Sequence, residues 1–126
     1  MPVTYEFQGL VLRLNFEGEY EPEDIIEAFL GALADPKAPK RVALLADVSR
    51  SASIGKRSPE EIRAVAEFLG PHRAWIGGRC AVVADSPLPY GLSRMGGVYS
   101  GKVGVDTQVF HDVESALHWL GIDSKV

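Results

Sequence analysis

Arg79-Cys80-Ala81-Val82-Val83-Ala84-Asp85 holds an unbroken apolar run, Cys80 to Ala84, closed by an aspartate. The run is too short for a helix and has no polar position to turn outward. It reads as a strand buried on both faces, the mark of a largely parallel sheet covered by helices. Two further runs, Val42 to Ala46 and Val105 to Phe110, lead to Asp47 and Asp112, and a helix-starting pattern follows each of the three aspartates. Ligands of open α/β sheets sit beyond the carboxyl ends of the strands, so these three ends frame the place where a site is sought.

Upstream, Val3, Tyr5 and Phe7 alternate with polar residues, as do Leu10, Leu12, Leu14 and Phe16, with Gln8-Gly9 as a tight turn between them. That pattern predicts an opening β-hairpin with one buried face. Pro22 suits a first helical position, Glu23 and Asp24 favour the positive helix end, and Ile25, Ile26, Phe29, Leu30 and Leu33 form the expected buried stripe. Asp35-Pro36 ends this helix.

Downstream of Asp47, a polar loop from Arg50 to Arg57 precedes Ser58-Pro59-Glu60-Glu61, a capping box with proline at the first helical position. Its helix buries Ile62, Val65, Ala66 and Leu69 and stops at Gly70-Pro71. Ser86-Pro87 begins a further expected helix carrying Leu88, Leu92, Met95 and Tyr99. Gly91, Gly96 and Gly97 each cost that helix about 1 kcal/mol relative to alanine, which points to close packing on the sheet, with close approach to a ligand as the second reading. In the last strand Val105, Thr107 and Val109 face inward and Asp106 and Gln108 outward, as at an edge. Asp112 caps a final helix that buries Val113, Ala116, Leu117 and Leu120 and ends at Gly121. The predicted order is β-β-α-β-α-β-α-β-α: one α/β domain over residues 1–126, a mixed sheet with packed helices. Right-handed crossovers place the helices after Asp47 and Asp85 on one side of the sheet.

At 126 residues, 46% hydrophobic, the chain can bury one core. A net charge of −4 disfavours non-specific binding to nucleic acid or an anionic membrane. No apolar run approaches the roughly 18 residues of a membrane span. Cys80 is the one cysteine, and Met1-Pro2-Val3-Thr4 shows no basic segment followed by an apolar stretch, so the expectation is a reduced, cytoplasmic protein.

Chemical motifs are sparse. Gly96-Gly97-Val98-Tyr99-Ser100-Gly101-Lys102 starts like a phosphate-binding loop, but Val103 stands where Ser or Thr is required and a strand follows instead of a helix. Cys80 reads as a buried structural thiol. His72, His111 and His118 lack the close spacing of zinc ligands, so neither a metal nor a cofactor is predicted. Asp112 and the pair Asp85-Ser86 have work as helix caps. A serine hydrolase built on Ser49, Ser86, Asp85 and His111 lacks the Gly-x-Ser-x-Gly turn. Trp75, beside Arg73, reads either as a binding hot spot or as closure of the core. Asp47 differs, because the helix behind it has its own cap at Ser58. Asp47, Ser49, Lys56, Arg57 and Ser58 therefore stand as the candidate binding residues, with local bonding to loop amides as the competing role.

Four stretches together resemble the SpoIIAA-like branch of the STAS superfamily, which is similar in turn to the lipid-binding Sec14 fold. They are Gly18 followed by Glu23-Asp24; Asp47-Val48-Ser49; Arg79 to Asp85; and Val109-Phe110-His111-Asp112-Val113-Glu114-Ser115-Ala116-Leu117-His118-Trp119-Leu120. The resemblance implies a STAS-like fold over nearly the whole chain and a non-enzymatic domain that binds a protein partner. In anti-sigma-factor antagonists a serine beside the second helix start is phosphorylated by a partner kinase, and the charge disrupts binding. Ser58 is similarly placed, although Lys56-Arg57-Ser58-Pro59 replaces the Asp-Ser-Ser-Gly type of sequence found there. The alternative the resemblance leaves open is a Sec14-like binder of an apolar or amphipathic small molecule, lined by Leu88, Tyr90, Leu92, Met95 and Tyr99. Self-association into a homo-oligomer also stays open.

Overall fold

A computed structural model of the protein describes residues 2–51, 58–84, 98, 99 and 101–122. The strands are β1 (Val3–Gln8), β2 (Val11–Gly18), β3 (Ala43–Ser51), β4 (Arg79–Val83) and β5 (Asp106–Phe110). The helices are α1 (Pro22–Ala34), α2 (Pro59–Phe68) and α3 (Val113–Trp119), with a 3-10 turn at Gly70–His72. The strands lie in the order β1-β2-β3-β4-β5, with β1 antiparallel to β2 and all later neighbours parallel. This is the mixed α/β sheet that the apolar runs predict, with β5 at an edge. The expected helix through Leu88, Leu92 and Met95 lies outside the described residues, as do Asp85 and Ser86, while Val98 and Tyr99 are helical.

Alternation sorts the strands onto two faces. Leu12, Leu14 and Phe16 of β2, Leu44 and Val48 of β3, and Cys80 and Val82 of β4 join one buried cluster with Phe29 and Ala32 of α1 and Ile76. Phe68 and Leu69, at the end of α2, and Trp75 pack against the same cluster. Phe29 is its hub, only 1% exposed, with the rings of Phe68 and Trp75 edge-on at 5.4 and 5.5 Å. The indole of Trp75 donates to the Pro39 carbonyl at 2.9 Å, so this tryptophan closes the core. On the opposite face Val11, Leu45, Ala81 and Val83 meet Ala116 of α3, with Phe110, Val113, Leu117 and Trp119 around them. The α1 and α2 connections thus share one face and α3 takes the other.

Local signals hold where they depend on near neighbours. Ser58 Oγ accepts from the Glu61 amide at 3.2 Å while Glu61 Oε1 accepts from the Ser58 amide at 3.0 Å, completing the predicted capping box. Asp112 accepts from the Ser115 amide at 2.7 Å, and Gly121, with φ of 82°, lies just past α3.

Three expectations are corrected. The hairpin turn is Gly9-Leu10, with Gln8 opposite Val11, so Leu10 sits at the tip, 61% exposed. Gly9, with φ of 62°, occupies the first central position, where a two-residue turn calls for glycine. On α1 the inward arc is Ile25, Ala28, Phe29 and Ala32, whereas Leu30 and Leu33 are exposed. The small Ala28 and Ala32 let the helix approach the sheet, a face that counting only large side chains passes over. Finally, β3 does not end at Ala46 but runs to Ser51, so Asp47 lies within the strand. Replacing Phe29 by alanine is expected to cost about 3–5 kcal/mol of stability in urea unfolding, because the aromatic hub has no side chain that can collapse into its place.

Candidate functional site

The helix α3 covers β3, β4 and β5, and the same face carries polar side chains where it passes onto β1 and β2. β3 supplies the centre of this polar face. Among the described residues it pairs with β4 as far as Asp47 opposite Val83 and then continues alongside β2. Between Asn15–Asp47 and Glu17–Arg50 the register slips, so that Val48 and Ser49 together oppose Phe16. This bulge keeps Val48 buried in the core and leaves Asp47 and Ser49 half-buried.

The slipped backbone is tied down by Asp47. Its Oδ1 accepts from the Ser49 amide at 3.1 Å and from Ser49 Oγ at 2.6 Å. Its Oδ2 takes a hydrogen bond from Arg13 Nη2 at 2.6 Å, an ion pair with only 22% and 14% of the two side chains exposed. Arg13, opposite Leu45 on the neighbouring strand, reaches Asp47 along the diagonal and donates from Nε to Asn15 Oδ1 at 3.0 Å. These four side chains form one connected network. It floors a shallow depression of about 460 Å³ whose rim includes Thr4, Glu6, Glu17 and Arg50. The rim pair of Arg50 and Glu17, 3.4 Å apart and mostly exposed, contributes little to stability.

Burial pushes the Asp47 carboxyl upward in pKa, but the bonds from Ser49 and Arg13 outweigh it and hold the group below the usual carboxylate value. Asp47 therefore accepts three hydrogen bonds, two from Ser49 and one from Arg13, in its ionised form. The role in local bonding, weighed against binding in the sequence, is real: this carboxylate scaffolds the bulge. Cys80 lies within the core and burial pushes its thiol up to about 12, so the nucleophilic thiolate is suppressed. Asp112 is held low by the Ser115 bonds it uses as a cap. The His72 ring lies tilted against those of Phe29 and Phe68, with centroids 5.2 and 5.0 Å away. Among the described residues no three His, Cys, Asp or Glu side chains gather to hold a metal. No described helix is long and apolar enough to cross a membrane.

Of the predicted binding residues, Asp47 and Ser49 are brought together. Ser58 caps α2, whose end packs on the other side of the sheet, and Lys56 and Arg57 lie outside the described residues. Leu88, Tyr90, Leu92 and Met95 of the proposed apolar pocket also lie outside them, and Tyr99 stands in a helical turn. Arg13, Asn15 and the rim residues Glu6 and Glu17 were missed. Their signal was present as the polar positions of the alternating hairpin, but joining them to Asp47 required the β2–β3 register.

With this geometry, one solved structure aligns over 94% of the chain and 91% of its own length, at a TM-score of 0.57 and 18% identity. It is an uncharacterized protein of the DUF3478 family with a SpoIIAA-like fold, from Shewanella loihica PV-4. The chain has a SpoIIAA-like fold. No family model and no curated protein matches it. At this identity the likeness extends to the fold of the SpoIIAA-like domain and not to what it binds.

Two measurements check the chemistry. Because the folded carboxyl of Asp47 titrates low, its contribution to stability is complete above about pH 3.9, the ordinary value, and is lost as pH falls through the folded value. Asp47→Asn is expected to lower stability at neutral pH by about 1–3 kcal/mol and to flatten the acid-side decline, read by denaturant titration at several pH values. Cys80 is expected to resist a thiol-reactive chromophore in the folded protein and to react fully in denaturant.

Proposed function

We propose that this SpoIIAA-like chain is a non-enzymatic, STAS-like regulatory domain that binds a protein partner through the polar face around Asp47 and Ser49. The start of α2 at Ser58, with Lys56 and Arg57 before it, is the regulatory part of the proposal. One observation carries the binding surface: on a sheet face that α3 covers from β3 to β5, Arg13, Asn15, Asp47 and Ser49 are already held in place by one another. Groups ordered before binding lose little entropy when a partner arrives, and a half-buried polar network specifies its partner by the bonds it offers. Asn15 accepts from Arg13 through its oxygen, which sets the direction its amide presents to a partner. The non-enzymatic reading is supported by the commitment of the reactive groups: Asp47 to Arg13 and Ser49, Asp112 to its cap and Cys80 to the core.

Retrieval of the partner from the source cells, followed by calorimetric titration, tests the reading. Arg50→Glu together with Glu6→Lys is expected to weaken binding at least tenfold, a change of about 1.4 kcal/mol, with the unfolding midpoint unchanged. Ser58→Asp is the regulatory arm, since aspartate caps a helix as well as serine does. It is expected to keep the fold and reduce affinity through charge alone. Affinity that ignores both changes but falls with Leu30→Gln, on the exposed side of α1, would place the partner elsewhere and refute the proposal.

A further inference from the structure

Among the described residues, no strand pairs with the outer edge of β1. The hydrogen bond from the Glu17 amide to the Pro2 carbonyl, 2.8 Å, joins two directly opposed residues and so sets the phase of the β1–β2 ladder. In an antiparallel pair, hydrogen-bonded and non-hydrogen-bonded pairs alternate. Thr4, Glu6 and Gln8 therefore turn their backbone groups to β2, and Val3, Tyr5 and Phe7 turn theirs outward. No described residue bonds to those outward groups, and β1 is the end of the strand order. Of the usual guards of an edge, Val3–Gln8 carries a single charge, Glu6, and has no proline, no lysine and no break in its register.

We infer that β1 pairs antiparallel with β1 of a second copy of this chain, with Tyr5 opposite the second copy's Tyr5, joining two sheets into one. Two constraints select the register of this self-pairing. Side chains opposite each other must share a sheet face, which a two-fold pairing satisfies with one residue on the axis, and Tyr5 and Glu6 are the two at the middle of the strand that keep the overlap longest. With Glu6 on the axis, two carboxylates stand directly opposed, which is destabilising. With Tyr5 on the axis, Val3 meets the second copy's Phe7, Thr4 meets Glu6, and no like charges oppose. All three residues with outward backbone groups then fall into hydrogen-bonded pairs, with two bonds per pair. The apolar face also continues across the seam. Tyr5 and Phe7, edge-on at 5.8 Å and only partly buried, meet the second copy's Tyr5 and Val3 there, and Tyr5 is fixed by its 2.8 Å bond to Asp35 of the segment after α1.

Light scattering across the micromolar to millimolar range is expected to give the mass of a dimer. Thr4 and Glu6 form a non-hydrogen-bonded pair across the seam, with Cα atoms about 4.5 Å apart, within disulfide range. The double variant Thr4→Cys, Glu6→Cys is therefore expected to oxidise to a covalent dimer. The buried Cys80 adds no background, and Glu6→Cys alone does not cross-link. Tyr5→Pro removes an outward amide while sparing the bonds to β2, and is expected to raise the dissociation constant at least about tenfold. If that variant fails to fold, the cysteine pair decides alone. A wild type monomeric throughout the range, a folded Tyr5→Pro variant that dimerises as tightly as wild type, or Glu6→Cys cross-linking as well as the double variant would each overturn the pairing.

Discussion

The parallel pairing of β2 with β3, which sets Leu12 beside Leu44 and Asn15 beside Asp47, is the constraint on which the rest depends. Parallel neighbours cannot be joined by a tight turn, so the chain must cross over the sheet, and α1 is that crossover. Once α1 lies on the sheet, Phe29 falls where Phe68 and Trp75 can close around it. The same register brings Arg13 within reach of Asp47, 34 residues away in sequence. Core and polar face are two consequences of one strand pairing.

Uneven covering gives the two faces different tasks. One is dry from β1 to β5 beneath α1 and α2 and the segment that follows them. The other is dry only under α3, so β1 and β2 place Thr4, Glu6, Arg13, Asn15 and Glu17 on it. The bulge at Val48 and Ser49 reconciles them, since it holds a valine in the core while two polar neighbours are bonded together. A carboxylate there is costly to bury unless it is paired. Arg13 and Ser49 meet that cost and orient the group at once.

Much of this was legible locally. The cap of α2, the cap of α3, the buried Cys80 strand and the edge character of β5 each follow from residues within a few positions of one another, and each stands in the structure. The errors arose where local patterns are ambiguous. Leu30 and Leu33 pass for core residues until the alanines of α1 set how closely it approaches the sheet. Asp47 reads as the end of a strand because the apolar run stops there, although the strand goes on as a one-sided, alternating segment. Half of the polar network was therefore named from sequence, as Asp47 and Ser49. Arg13 and Asn15 stayed hidden in a hairpin that looked merely amphipathic.

By itself the sequence determined the periodicities, caps and turns, and through them a mixed α/β sheet of the kind seen in SpoIIAA-like domains. These features rest on φ/ψ preference, hydrogen bonding within a turn and alternation along a strand, all of which act over a few residues. Only the tertiary structure decided which strands adjoin, which strand ends the described sheet and which face α3 leaves polar. Those outcomes depend on long-range register, where one residue of slip would turn every side chain of a strand to the other face.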